Sequence, residues 1–126
     1  MYGLKLTYRF CAAHRLDNLP DGHKCRRMHG HNYEVTVMCR HHGLDEYGFL
    51  IDADRVDGLI SKIIGRLDHQ VLNDLLDIPS SEMLAEWFYR ELRHWDDSRL
   101  LDQILYGVEV KETDKITASF AIDVGK

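Results

Sequence analysis

The chain has 126 residues, a length typical of one ordinary domain. Its apolar share of 44% and charged share of 29% are typical of a globular protein and exclude the collagen-like and disordered classes. Its net charge of −5 disfavours a general nucleic-acid-binding surface, and its longest apolar run of four residues is too short to span a membrane. We therefore expect a single cytoplasmic domain over residues 1–126, with no nucleic-acid or membrane partner.

Two strands are predicted at the start of the chain. Apolar residues alternate with polar ones from Tyr2 to Phe10 and again from His31 to Cys39. This two-residue period is typical of a strand with one buried and one exposed face.

Two helices are predicted next, because the spacing of apolar residues changes to three and four. The first begins after Asp52, whose carboxylate suits an N-cap, and carries its apolar stripe from Val56 to Leu67. The second follows Pro79, with Ser80 or Ser81 as its cap. Its buried side is expected to include Leu84, Trp87, Phe88, Leu92 and Trp95.

Two more strands are predicted near the end of the chain, over Ile104 to Val110 and Ile116 to Ile122. The resulting order ββααββ predicts an α+β fold, a four-stranded antiparallel sheet with both helices on its dry face. The other face is polar and the outer strands leave open edges, so we expect the chain to associate with copies of itself.

The composition stands out for its eight histidines. His29 and His31 are two residues apart and share one side of a strand, and extending the first strand places His14 on its dry face. Three imidazoles that converge there resemble the open site of a catalytic zinc ion. The alternative for any one of them is a hydrogen-bonded core histidine. Apart from His69, the other histidines are expected to need no function, and three of them lie in polar stretches: His41, His42 and His94.

Cys25 is a candidate nucleophile or general base, because neighbouring cations favour the thiolate, the alternative being an ordinary loop cysteine next to solvated charges. Those cations are Lys24, Arg26 and Arg27. They are also candidates to attract a phosphorylated substrate, the alternative being an ordinary solvated loop. The remaining cysteines, Cys11 and Cys39, are predicted to be packing residues, and an odd set of three indicates reduced thiols rather than a disulfide framework.

Two acidic positions complete the candidate site. Asp68 precedes His69, and a carboxylate beside a histidine suits proton transfer near neutral pH, although sequence neighbours need not touch. Glu112 follows the third strand on the parity of its buried residues, where a carboxylate needs a partner. The paired N–H groups of a pterin or guanine edge would satisfy it.

Five segments then form one pattern across nearly the whole chain: residues 10–16 (FCAAHRL), 22–33 (GHKCRRMHGHNY), 67–73 (LDHQVLN), 79–82 (PSSE) and 110–113 (VKET). In this order they resemble the 6-pyruvoyltetrahydropterin synthase superfamily. Within it the chain is most similar to the bacterial 6-carboxy-5,6,7,8-tetrahydropterin synthases of the queuosine and 7-deazaguanine pathway. The spacing from Cys25 to His31, Cys-x-x-x-His-Gly-His, favours that branch over the tetrahydrobiopterin enzymes, whose cysteine stands farther from His-Gly-His.

The resemblance implies roles for single residues. It implies that zinc is bound by His14, His29 and His31, and that the pterin ring is anchored by Glu112. It further implies that protons are transferred by Cys25, Asp68 and His69. The fold it implies is the tunnelling fold, assembled as a homohexamer with active sites between subunits.

The reaction implied is conversion of 7,8-dihydroneopterin triphosphate to 6-carboxytetrahydropterin, acetaldehyde and triphosphate. The runner-up is the 6-pyruvoyltetrahydropterin synthase reaction, which eliminates triphosphate and keeps the side-chain carbons. A non-catalytic, zinc-stabilised pterin-binding module is the third reading.

The chain departs from the family pattern at three positions. Cys11 stands where Glu or Ser is usual, Ala53 where an aromatic residue often follows the aspartate, and Ser80 where Thr is usual. None of the three is a metal or proton-transfer position. The property that they are expected to affect is the specificity for the side chain of the substrate.

Overall fold

A computed structural model describes residues 1–123; residues 124–126, the end of the expected domain, lie outside the described part. The described chain forms five strands and three α-helices. The strands are β1 (Tyr2–His14), β2 (His29–His41), β3 (Gln70–Val71), β4 (Leu105–Lys111) and β5 (Thr117–Ala121). The helices are α1 (Ala53–Gly65), α2 (Ser81–Trp95) and α3 (Leu101–Ile104).

The strands form a single sheet in the order β3-β1-β2-β4-β5. The α+β class and the antiparallel pairing of the four predicted strands are confirmed, but the sheet has one strand more than predicted. A fifth strand, β3, pairs in parallel with β1 at Ala12 and Ala13. It has only two residues, too few for an alternating pattern to reveal it.

The core lies between the sheet and the helices, as the alternation predicted. Val35, Val37 and Val108 from the sheet are fully buried, as are Ile60 of α1 and Phe88 of α2. Burying one such apolar side chain contributes roughly 1.5–3 kcal/mol. This packing fixes the strand register, because a shift of one residue would turn the valines to solvent.

Several end positions of the predicted elements differ in the structure. Trp95, the last residue of α2, is 55% exposed rather than buried, and its Nε1 donates to the Glu91 carboxylate at 2.7 Å. Ile104 is the last residue of α3, and the strand begins at Leu105. The register between β2 and β4 also shifts, between Met38 and Cys39. Ile116 is exposed and precedes β5.

Both helix caps agree with the prediction. The Asp52 carboxylate accepts from the Asp54 N–H at 2.9 Å and begins α1. Ser80 rather than Ser81 begins α2, because its Oγ accepts from the Met83 N–H at 3.2 Å. The start of α2 is thereby fixed beside the end of β1.

The face away from the helices is polar, as expected. Thr7 and Thr36 share a hydrogen bond of 2.9 Å across β1 and β2, and Arg9 donates to Glu34 at 3.1 Å. Within residues 1–123, no strand pairs with the outer edge of β5, or with β1 before Ala12. None of the described helices has the length and apolarity that crossing a membrane would require.

Candidate active site

Three histidines meet where β1 ends and β2 begins. The antiparallel register pairs His14 with His29 and Ala12 with His31. Alternation then turns His14, His29 and His31 to the same side, with ring centroids 4.5 to 5.2 Å apart. One nitrogen of each ring lies within 4.8 Å of the others, so the three form a candidate metal site. We call them the histidine triad.

The backbone fixes which nitrogen two of these rings offer. Nδ1 of His14 donates to the Pro79 carbonyl at 2.8 Å, and Nδ1 of His29 donates to the Arg27 carbonyl at 2.7 Å. A carbonyl oxygen only accepts, so in each neutral ring Nε2 carries the free lone pair. Such outer hydrogen bonds are typical of metal-binding histidines.

The distance between the two free nitrogens fits a bound cation. Nε2 of His14 and Nε2 of His29 are 3.0 Å apart. Two facing lone pairs repel at this distance unless a proton or metal ion lies between them. Nitrogen ligands of a tetrahedral zinc ion are roughly 3.3 Å apart, given Zn–N bonds of about 2.0 Å. Nε2 of His31 is buried and has no hydrogen bond within the described chain.

Burial keeps His14 and His31 in the form that binds metal. The pKa of His14 is lowered mainly by its burial, with a further lowering from His29 and opposing effects from the Pro79 hydrogen bond and Glu112. The pKa of His31 is lowered for the same leading reason, and Glu112 again opposes the shift. Neutral imidazoles are metal ligands and imidazolium ions are not, so burial favours coordination.

An aromatic wall backs the triad. Tyr33 stacks on Phe10 with ring centroids 5.0 Å apart, and its hydroxyl lies 3.4 Å from His14 Nδ1. The pKa of Tyr33 is raised by burial first and by Glu112 second, so the hydroxyl stays neutral. This wall restricts solvent on one side of the histidines.

Glu112 comes to the triad from β4. Its Oε1 lies 3.3 Å from His14 Nε2 and 3.4 Å from His31 Nε2, and its side chain is 15% exposed. The expectation of a carboxylate on the dry face is confirmed. A substrate edge held by Glu112 would therefore lie directly beside the histidines.

Asp68 and His69 lie at the edge of β1. Asp68 Oδ1 accepts from the Cys11 N–H at 2.9 Å and lies 3.1 Å from His69 Nδ1, so the two neighbours do touch. His69 has a φ of 61° and donates its N–H to the Cys11 carbonyl at 2.6 Å. A left-handed backbone at a non-glycine residue is strained, and such strain is concentrated at functional sites. The pKa of Asp68 is lowered chiefly by the Cys11 hydrogen bond.

A pocket of about 410 Å³ adjoins this pair and includes His31, His69, Cys11 and Asn32. Cys11 is exposed, and its thiol donates to the Asn32 side-chain oxygen at 2.9 Å, so the prediction that it packs in the sheet is wrong. It lies on the polar face, opposite His14. Cys39 is 1% exposed as predicted, and burial raises its pKa to about 12.

Cys25 lies in a short 3₁₀ turn, Lys24–Arg26, within the loop that joins β1 to β2. Among the described residues, no hydrogen bond, ion pair or ring contact joins Cys25 to the triad or to His69. Within residues 1–123, Cys25 is therefore not bonded to the Asp68–His69 pair. Arg26 is bonded to loop carbonyls, whereas the side chains of Lys24 and Arg27 have no partner among residues 1–123.

A larger pocket of about 840 Å³ lies between α1 and residues 95–101, and it includes none of the candidate site residues. Its lining is mainly apolar, with Leu59 and Trp95 among its residues, and it also carries charges of both signs, such as Lys62 and Asp96. The size of a pocket therefore does not indicate where the candidate site residues lie in this chain.

Sequence reasoning missed three supporting groups. The Pro79 carbonyl holds His14, and the side chain of Asn73 bonds both the N–H and the carbonyl of Arg15, at 3.0 and 2.9 Å. His23, expected to need no function, accepts from the Cys25 N–H at 3.1 Å. In the sequence, only its position within the LDHQVLN segment could have indicated a role for Asn73.

The chain was compared with known proteins. The family model described as 6-pyruvoyl tetrahydropterin synthase matches residues 4–122. The chain belongs to this family. It is accordingly an enzyme of a lyase family, and the resemblance noted in its sequence is confirmed.

Individual relatives agree with this placement. The chain is 33% identical over 120 residues to the 6-carboxy-5,6,7,8-tetrahydropterin synthase of Synechocystis, with 90% of this chain and 88% of that protein covered. It is 30% identical over 120 residues to the enzyme of the same name from Bacillus subtilis, covering 89% and 80%. The 6-pyruvoyl tetrahydropterin synthase structure from Caenorhabditis elegans superposes with a TM-score of 0.84 at 25% identity, covering 97% of this chain and 96% of that one. This likeness confirms the tunnelling fold.

Proposed function

We propose that the chain, acting as one domain over residues 1–126, is a zinc-dependent lyase that converts 7,8-dihydroneopterin triphosphate to 6-carboxy-5,6,7,8-tetrahydropterin, acetaldehyde and triphosphate. This is a step of the queuosine and 7-deazaguanine pathway. The observation that carries the proposal is the triad, in which two rings donate Nδ1 to carbonyls and direct their free Nε2 atoms at each other 3.0 Å apart. The relatives named for the carboxy product support this branch.

The metal is proposed to be zinc, held by His14, His29 and His31. Three neutral imidazoles that leave a coordination position open are a typical catalytic zinc set. When bound, zinc supplies Lewis-acid polarisation of the side-chain oxygens of the substrate. The Nδ1 hydrogen bonds to Pro79 and Arg27 keep His14 and His29 oriented for this role.

Glu112 is proposed to bind the N–H edge of the pterin. An ionised carboxylate accepts two parallel hydrogen bonds, which would orient the ring as well as hold it. Its Oε1 lies within 3.4 Å of both His14 and His31, so a ring bound there has its side chain within reach of the triad.

Proton transfer is assigned to Cys25 and to His69, with Asp68 as the partner of His69. Asp68 Oδ1, 3.1 Å from His69 Nδ1, would orient the imidazole ring for proton transfer. Cys25 lies in the Lys24–Arg26 turn, and its thiol is proposed as the second proton-transfer group. The exposed side chains of Lys24 and Arg27 are available for the triphosphate.

The active form is proposed to be a homohexamer with sites between subunits. The support is the open outer edges of β1 and β5 and the lack of a described contact from Cys25 to His69 or the triad. The expected cytoplasmic location stays a prediction.

The deciding experiment incubates the purified protein with 7,8-dihydroneopterin triphosphate and identifies the products by mass spectrometry. We expect 6-carboxytetrahydropterin and acetaldehyde in equal amounts. A pyruvoyl product without acetaldehyde would reassign the chain to the runner-up reaction.

The alternative to an enzyme is a non-catalytic, zinc-stabilised module that binds a pterin without converting it. Under that reading the protein shows no turnover and unfolds when a chelator removes its metal. A catalytic site instead loses activity on chelation while the fold is largely kept. Circular dichroism of the chelated protein, measured with its activity, separates the two.

Shared sites are tested by mixing inactive variants. Cys25→Ala and His69→Ala are each expected to be inactive, and co-refolding them should restore up to about a quarter of the sites, because random mixing then pairs intact residues from different subunits. The same variants mixed without refolding are the control. No recovery after co-refolding would place both residues in one subunit's site.

A further inference from the structure

The loop that carries Cys25 has no hydrophobic core of its own. In residues 15–28, all of which the structure describes, no side chain is buried. Apolar packing therefore does not fix the position of Cys25. Hydrogen bonds across the loop must do so, since an open loop of this length would otherwise sample many conformations.

Two sets of bonds close the loop. On one side, the Leu16 N–H donates to the Cys25 carbonyl at 2.8 Å. On the other side, Nη1 of Arg26 donates to the carbonyls of Asp17 and Leu19 at 2.8 and 2.6 Å. The Arg26 guanidinium thus ties the turn that carries Cys25 to the first half of the loop.

The ion pair between Arg26 and Asp21 contributes little to the ordering of the loop. Its Nη2 lies 3.6 Å from Asp21, whose side chain is fully exposed, and exposed ion pairs are weak. The two carbonyl bonds are different, because they join a charged donor to backbone acceptors and charged hydrogen bonds are roughly twice as strong as neutral ones.

We propose that Arg26 is a positioning residue, which fixes the Cys25 turn through the Asp17 and Leu19 carbonyls and does not contact the phosphates. This rests on the proposed role of Cys25 in proton transfer. Both Nη1 hydrogens are used within the loop. The neighbouring Arg27 side chain is exposed and has no partner among the described residues. The two adjacent arginines therefore differ in role: Arg26 orders the loop, and Arg27 is available for the phosphates.

The test compares Arg26→Gln with Arg27→Gln in the full-length protein. Each substitution removes one positive charge next to the Cys25 turn, so the pair is matched in charge. Hydrogen–deuterium exchange is followed in peptides covering residues 15–28, iodoacetamide alkylation of Cys25 is followed by peptide mapping, and kcat and KM are measured with 7,8-dihydroneopterin triphosphate.

The amides to follow are those of Leu16 and of His23, which donates to the Pro20 carbonyl at 3.1 Å. Arg26→Gln should speed exchange of both amides about tenfold, because the loop loses two charged hydrogen bonds. Cys25 should also be alkylated faster in Arg26→Gln than in Arg27→Gln, a matched comparison because both variants lose one cation beside the thiol. Arg26→Gln should lower kcat while KM stays within about twofold. Arg27→Gln should leave the exchange of both amides at the wild-type rate and raise KM.

Two results would overturn the inference. One is a raised KM in Arg26→Gln with wild-type exchange, which would make Arg26 a phosphate contact. The other is equal exchange in both variants, which would mean that Arg26 does not order the loop. Exchange and alkylation need no turnover. A wild-type protein without lyase activity would therefore refute the proposed function while the ordering of the loop by Arg26 is still decided.

Discussion

Nδ1 of His14 donates to the carbonyl oxygen of Pro79 at 2.8 Å, a bond between residues 65 positions apart in the chain. Pro79 directly precedes Ser80, the N-cap of α2. The start of a helix is thereby connected to the orientation of a candidate metal ligand. A change that loosens the helix start should reach the metal through this bond.

Ser80→Ala tests that connection. Loss of the cap should destabilise the protein by about 1 kcal/mol and also weaken zinc binding, because the Pro79 carbonyl is no longer held in place. Asp52→Ala is the matched control, since it removes the cap of α1 at a similar cost. Thermal unfolding and competitive zinc titration measure the two effects. Equal zinc affinity in both variants would show that the helix start and the metal are independent.

His29→Ala should abolish stoichiometric zinc binding while the fold is retained. His29 is only half-buried, whereas His14 is fully buried and would cost stability when truncated. Elemental analysis measures the metal, and the rise in melting temperature on zinc addition measures binding by mass action. The exposed His42→Ala is the control and should behave as wild type. Full zinc content in His29→Ala would remove it from the ligand set.

The metal-free protein should lose stability as the pH falls below about 6.5. The pKa values of His14 and His31 are lowered in the fold from 6.5, mainly by burial, so in this range the unfolded chain binds protons that the folded chain does not. Stability therefore rises with pH through this window.

Urea unfolding of the chelated protein at about pH 7.5 and about pH 5.5 measures this effect. His31→Gln should reduce the difference between the two values, and His42→Gln should keep it. An unchanged difference in His31→Gln would refute the assignment of the effect to His31.

Asn73→Ala should destabilise the protein by about 1–3 kcal/mol, because the N–H and the carbonyl of Arg15 both lose their partner. Asn18→Ala, an exposed asparagine of the neighbouring loop, should change the free energy of unfolding by less than about 0.5 kcal/mol. Denaturant titration compares them. A similar effect of both substitutions would mean that the Asn73 bonds do not hold the end of β1.

The long strands and helices could be predicted because each buries one face over many residues. The alternation in β1 and β2 predicts that His14, His29 and His31 lie on one side, and the register of the two strands confirms this. The two residues of β3 could not be predicted, since they pair only where tertiary structure brings them beside β1. Periodicity also could not show that α2 leaves the core before Trp95.

Within the candidate site, side chains with distinctive chemistry were found and their backbone partners were not. Every residue carries a carbonyl, so nothing in the sequence marks Pro79 as the acceptor for His14. Cys11 was misread because a cysteine is usually buried, whereas the strand turns this one to the polar face. The apparent redundancy of Arg26 and Arg27 in the sequence likewise disappears once their contacts are known.

The register of β1 and β2 places His14 directly opposite His29, and the Cys25 loop leaves the sheet at this pair. A metal ion held by both rings would cross-link the two ends of the loop, as a disulfide would at the same place. Closing a loop at its base reduces the conformations open to every residue inside it. The ion would then have two effects through one site: it would act on the substrate and also restrict the motion of the thiol that is proposed to work beside it.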